Sequence, residues 1–169
     1  MNDRENSAAR EKCRERALKL LTQKPHTVKQ LRDKLIKKEF PLPHVTEIID
    51  DFVRVGLLND RQVASDYCGY MKQASPPVGR SRVKNKLYQY GVPPDVINEV
   101  LAERWDADGD EGELSRAVEA VRRKARLIKN QPDPQKTRAT LYRFLANKGF
   151  SSSACSQAVA QWMASKKEI

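Results

Sequence analysis

Acidic residues are missing from one long stretch of this chain. From Tyr67 to Pro94 there are 28 residues without an Asp or Glu, while Lys72, Arg80, Arg82, Lys84 and Lys86 all fall inside it. No apolar run approaches the roughly 20 residues that cross a bilayer, so no membrane partner is expected. The opening segment MNDRENSAAREKCRERA is charged and has no apolar core of a secretory signal. The three cysteines, Cys13, Cys68 and Cys155, are odd in number, far apart and form no CxxC. That argues against a disulfide framework and for free thiols in a reducing cytosol, so a cytoplasmic location is expected. The only histidines, His26 and His44, sit beside prolines with no ligand-like spacing to cysteine, which suits turn positions rather than a zinc site. There is no GxxxxGK followed by Ser or Thr, no GxSxG and no HExxH, so neither a cofactor nor a catalytic role is expected.

Two acidic clusters invite a metal reading. In DADGDEGE, Asp106, Asp108 and Asp110 alternate as in a calcium loop, but Glu111 stands where glycine is needed and Ala117 where the loop ends in glutamate. The segment reads instead as a linker with acids at a helix start. Asp50 and Asp51 are adjacent, so on a helix they point about 100° apart and read as a solvated face.

What is abundant is positive charge: 32 basic against 22 acidic residues give +10, which favours a polyanionic partner, either nucleic acid or an acidic protein surface. Apolar residues recur at helical spacing nearly throughout. Ala17, Leu18 and Leu21 form one stripe, Val28, Leu31 and Leu35 a second, and Val45, Ile48, Ile49 and Phe52 a third. Leu114, Ala117, Val118, Val121, Ala125 and Ile128 share one face of a long helix. Thr27, Asn59 or Asp60, and Ser151 can cap helix starts, because a short side-chain oxygen accepts a free backbone N–H. Gly91 and Gly149 sit where helices end. The pattern predicts an all-α chain of about nine helices.

The pattern also repeats. With LIKKEF, LYQYGV and LANKGF aligned, Leu35, Leu87 and Leu145 each precede an apolar residue by five, namely Phe40, Val92 and Phe150. Five further on come Val45, Ile97 and Cys155, then Ile48, Val100 and Ala158, then Ile49, Leu101 and Val159. Each unit has a leading helix, expected near 9–22, 60–73 and 110–129. The chain therefore divides into three three-helix repeats, 1–58, 59–107 and 108–169, each thin-cored enough to need its neighbour. QASPPVG is then a turn inside the second.

The basic residues fall on predicted helix faces. In a helix over 79–90, Arg80, Lys84 and Tyr88 line up, with Val83, Leu87 and Tyr90 toward the core. A basic face with an aromatic suits phosphate contact and base stacking. Further on, Arg122, Arg126 and Lys129 line up beside Arg116 and Arg123, and between Leu114 and Phe144 nine basic residues, Arg138 and Arg143 among them, face only Glu119 and Asp133. All of these, with Lys72, Arg82 and Lys86, are candidate contacts to a partner or to nucleic acid.

GLLNDRQVASDY, PPVGRSRVKNKLYQYGV and FLANKGFS together resemble the RecX family of regulatory proteins. Gly56, Leu57, Leu58 and Asp60 match its first motif, with Asn59 in place of its first Asp, and Gln62 and Val63 where Arg and an aromatic are common. Gly79, Arg82, Leu87 and Gly91 match the later motifs, with Val83 and Val92 standing for Ile. The resemblance covers roughly residues 10–164. It implies three tandem three-helix repeats in an elongated, curved, all-α protein. It also implies a non-catalytic modulator of RecA that binds the RecA filament on DNA and mainly inhibits it. The rival reading from the residues alone is a direct DNA-binding regulator of helix-turn-helix type, on single- or double-stranded DNA.

Overall fold

The computed structural model describes residues 2–128 and 133–166. Nine α-helices occur among them: α1 (Asn2–Gln23), α2 (Val28–Ile36), α3 (Leu42–Arg54), α4 (Asp60–Lys72), α5 (Arg80–Tyr90), α6 (Pro94–Val100), α7 (Gly109–Leu127), α8 (Pro134–Asn147) and α9 (Ser152–Ser165). A π-helical turn, Leu101–Trp105, and a 3-10 turn, Asp106–Asp108, join α6 to α7. No strand occurs among the described residues. The segment expected as a linker is thus helical from end to end. QASPPVG is the turn between α4 and α5.

The described residues form two compact units. One takes the described residues up to Ala64 together with Leu87–Ile97; the other takes Ser65–Lys86 and the described residues from Asn98 onward. The core of the first unit is built by α1, α2 and α3: Cys13, Ala17 and Leu20 pack with Leu31, Leu35, Val45, Ile48, Ile49 and Phe52. Here the α1 stripe runs one residue away from the expected one. Leu20 is buried, whereas Leu18 is 38% exposed. Positions 13, 17 and 20 are the better i, i+4, i+7 set, and a small Cys at the first of them hid it. Across this unit Arg10 on α1 donates to Glu47 at 2.7 Å and reaches Asp51 at 3.8 Å on α3. Asp51 is therefore engaged rather than merely solvated.

One hydrophobic cluster of the second unit is built by α7, α8 and α9, from Ala117, Ala120, Val121, Leu141, Leu145, Phe150, Cys155, Ala158 and Val159. The aligned repeat positions are all buried except Phe40, which is half-buried. All three thiols are free and buried, and burial raises each thiol's pKa, that of Cys68 to about 11. They stay protonated and unreactive at neutral pH.

The three aligned turns share one hydrogen-bond pattern. Phe40, Val92 and Phe150 N–H donate to Leu35, Leu87 and Leu145 carbonyls at 3.4, 3.1 and 3.3 Å. Glu39, Gly91 and Gly149 N–H donate to Ile36, Tyr88 and Ala146 at 2.8, 2.9 and 2.9 Å. This is the Schellman closure, which needs a left-handed residue. Their φ values are 62°, 80° and 86°.

Two of these turns also receive the start of another helix. In the first unit the Thr27 hydroxyl donates to the Tyr90 carbonyl, while Thr27 and Gln30 form a capping box on α2. A Cβ on Gly91 would lie 2.2 Å from the Lys29 side chain. In the second unit Gly79 and Ser81 N–H donate to Lys148 and Gly149 carbonyls at 2.9 and 3.0 Å. A Cβ on Gly149 would lie 2.4 Å from the Arg82 backbone nitrogen, and one on Gly79 would lie 2.2 Å from Gly149. The same joint is thus built twice, once in each unit.

Asn59 caps α4, accepting Gln62 N–H at 3.0 Å. Asp60 instead accepts Val28 N–H at 2.8 Å at the start of α2, and burial raises its pKa. Ser151 caps α9, and its N–H and hydroxyl also donate to Glu113 of α7 at 3.0 and 2.7 Å. His26 is a turn residue: it is buried before α2, bonded through Nδ1 to Lys24 O at 2.8 Å and through Nε2 to Lys34 Nζ at 2.8 Å. His44 is buried in the first turn of α3.

Candidate polyanion-binding faces

The basic residues singled out by the sequence separate into groups with different surroundings. The first group is clamped by acids. Lys72, at the end of α4, donates to Asp108 at 2.6 Å, and Arg116 of α7 reaches the same oxygen at 3.2 Å. Arg80, the first residue of α5, donates from Nε to both oxygens of Asp106 at 2.8 and 3.0 Å. The Lys72 hydrogen bond, above all, holds the Asp108 carboxyl below the usual carboxylate range. The hydrogen bond to Asp106 raises the Arg80 pKa. The 3-10 turn thus sets Asp106 against the start of α5 and Asp108 against the end of α4. Arg116 also lies over the Trp105 ring, 5.0 Å from its centroid, with the ring buried beneath it. The Trp105 Nε1 and Arg116 Nε atoms are buried without a hydrogen-bond partner among the described residues. Arg123 belongs to this group as well, donating to Glu119 at 2.7 and 3.0 Å and to the Ser75 hydroxyl.

Further along α5, Lys84 and Lys86 are half-buried and engaged, and Tyr88, 41% exposed, is engaged too. Val83 and Leu87 face the core as expected. Tyr90, expected toward the core, is only half-buried, and its carbonyl accepts the Thr27 hydroxyl. The α5 face is therefore partly engaged, while the Tyr88 ring stays exposed.

The remaining candidates are open. Arg82, Arg122, Arg126, Arg138 and Arg143 are exposed and make no ion pair among the described residues. Lys129 lies outside the described residues. The α8 helix holds a shallow groove of about 700 Å³ lined by Gln135, Arg138, Ala139, Tyr142, Arg143 and Ala146. Asp133 caps α8 by accepting Gln135 and Lys136 N–H at 2.8 and 3.3 Å, so the helix start needs no further anion. Tyr142, 37% exposed, is a residue the sequence reading passed over. Its spacing from Arg138, i to i+4 on a helix, was the available signal.

Among the described residues no group of three His, Cys, Asp or Glu side chains could hold a metal ion. No described helix is long and apolar enough to cross a membrane. The features together define an all-helical protein of tandem three-helix units with basic exposed faces. Residues 13–52 match the family model described as the RecX first three-helix domain, and residues 111–159 the RecX third three-helix domain, together just over half of the chain. The regulatory protein RecX of Trichlorobacter lovleyi is 32% identical over 140 residues, covering 83% of this chain and 88% of that protein. Those of Clostridium botulinum and Chlorobium phaeobacteroides are 32% and 26% identical. The chain spans 63% of the length of the former and 89% of the latter. The fold is that of the crystal structure of RecX from Lactobacillus salivarius, with a TM-score of 0.77 at 20% identity, over 92% of this chain and 97% of that one. The chain belongs to the RecX family of regulatory proteins.

Proposed function

We propose that this chain modulates the RecA recombinase by binding the RecA filament on DNA and restraining its ATP turnover, strand exchange and growth. The observation that carries this reading is membership of the RecX family, together with a set of exposed arginines that pair with no acid among the described residues. A filament carrying DNA presents negative charge along its groove, and unpaired arginines are the residues free to meet it. The three repeats, bounded at 1–58, 59–107 and 108–169, then act as a scaffold for those arginines. The setting is cytoplasmic DNA repair and recombination. The protein works by binding, with no chemistry of its own.

The DNA-dependent ATPase of RecA, measured with and without the purified chain, tests this. Turnover should fall at or below one chain per RecA, and strand exchange should fall with it. Unchanged RecA activity at a large excess of the chain would refute the proposal. A second reading, direct binding to DNA without RecA, is favoured by the open face of α8. Binding to DNA alone, compared with binding to the filament, separates the two.

A further inference from the structure

We infer that the exposed face of α8 is a binding groove for single-stranded nucleic acid, in which Arg138 and Arg143 hold phosphates and the Tyr142 ring stacks on a base. The inference rests on the reading above for its setting, but on α8 alone for its geometry. At about 100° per residue, Tyr142 lies about 40° around the helix from Arg138, and Arg143 about 140° from it. Ala139, Ala146 and Gln135 fall between the two arginines. The face is thus a cation, an aromatic ring, a floor of two alanines and a second cation, in that order. The alanines leave the groove of about 700 Å³ beside an exposed tyrosine ring. Arg138 also borders a second depression of about 400 Å³, shared with Ala160 and Met163 of α9.

The chemistry selects the ligand. Two arginines without an ion pair among the described residues ask for anions, and their fork geometry matches phosphate oxygens. A flat ring beside two methyl-sized side chains offers room for another flat ring. A duplex presents phosphates but keeps its base faces stacked inside, so it would leave Tyr142 unused. An acidic protein surface would satisfy the arginines but gives the ring no partner. Unstacked bases on a charged backbone satisfy both, which is the combination single-strand sites use.

The test is anisotropy of a fluorescent oligothymidine titrated with the full chain, alongside heparin, a polyanion without bases, and a duplex of equal length. Wild type should prefer the oligothymidine to the duplex. Tyr142→Ala should weaken oligothymidine binding about tenfold and leave heparin binding unchanged, and Tyr142→Phe should restore it. Arg138→Ala with Arg143→Ala should weaken both ligands and flatten the salt dependence. Unchanged oligothymidine binding by Tyr142→Ala, or equal losses on heparin and oligothymidine, would overturn the stacking role and with it the inference. Loss of binding to DNA-free RecA in these variants, with oligothymidine binding intact, would assign the face to a protein partner and overturn it too. Wild type that restrains RecA but ignores oligothymidine sinks only this inference. Wild type that binds oligothymidine but leaves RecA untouched sinks only the regulatory reading.

Discussion

Lys72 and Arg138 are both cations of the second unit, and sequence reading puts them in one class. The structure separates them. Lys72 gives its charge to Asp108 at 2.6 Å, a residue 36 positions away, and shares that carboxylate with Arg116. Arg138 sits on an exposed helix face with no ion pair among the described residues. The first region cancels most of its own charge: Lys72, Arg80 and Arg116 stand against Asp106 and Asp108. The second leaves its charge to be met by something else. Net charge of +10 therefore overstates what the α4–α5 region can offer a polyanion: of its singled-out cations only Arg82 is open, and the other open arginines lie on α7 and α8.

The largest effect should come from reversing the open charge. Arg122→Glu with Arg138→Glu should weaken binding to the RecA–DNA filament by about 100-fold or more at low salt, since lost phosphate contacts and new repulsion act together. Both sites are exposed helix positions, so the fold should hold, with stability changes within about 0.5 kcal/mol per site. Far-ultraviolet circular dichroism and a thermal melt check that side. Wild-type affinity in this folded variant would place the contact elsewhere.

Opening the closed region should act in the opposite direction. Asp106→Asn with Asp108→Asn keeps the shapes and removes the acids, releasing Lys72, Arg80 and part of Arg116. Filament affinity should rise several-fold at low salt, and the gain should vanish at high salt. No gain would mean that these cations face away from any partner surface.

A smaller expectation concerns pH. Lys72, the main cause, holds the Asp108 pKa below its ordinary 3.8. A carboxylate with a depressed folded pKa contributes stability above its unfolded pKa and loses it only as pH falls through the folded value. The clamp is therefore closed throughout pH 5–8, and filament affinity titrated over that window should be flat apart from RecA's own titration. A step near neutral pH that disappears in Asp108→Asn would contradict this.

Much of the fold was legible in the sequence because its signals are local. Helical spacing, the caps at Thr27 and Ser151 and the glycines at 91 and 149 all act within a few residues of themselves. The repeat alignment was legible because aligned positions do the same job in each core. Leu18 was misplaced because Cys13 was not counted as apolar. The clamp was not legible: Arg80 with Asp106 and Lys72 with Asp108 are 26 and 36 residues apart, and DADGDEGE read as a linker because its π and 3-10 turns have no simple period. The alignment did show Glu39 where the other repeats have glycine, but only the structure gives the reason. Gly91 and Gly149 each receive another helix start, and a Cβ there would collide. Among the described residues no helix start is bonded to the Glu39 turn, so a side chain fits and only the left-handed φ of 62° is strained.

That contrast carries the smallest prediction. Glu39→Gly should stabilise the protein by about 0.5–1 kcal/mol, relief of a left-handed residue less the added chain entropy. Gly149→Ala, by contrast, should destabilise it by about 2 kcal/mol or more, because the Arg82 backbone must move. Urea unfolding of both variants measures the pair, and equal effects would deny the joint its role.

The most direct test of the account is the salt dependence of binding to the RecA–DNA filament for three proteins side by side. The first is wild type. The second replaces the open arginines of α7 and α8, Arg122, Arg126, Arg138 and Arg143, with alanine. The third removes the clamps as whole pairs, Lys72→Gln, Arg80→Gln, Asp106→Asn and Asp108→Asn, which leaves net charge unchanged. The open-arginine variant should bind much more weakly and show a slope shallower by about one per lost phosphate contact. The paired variant should keep the wild-type slope and an affinity within about twofold of it, because its cations were already neutralised. A paired variant that loses binding while the open-arginine variant keeps it would contradict the account.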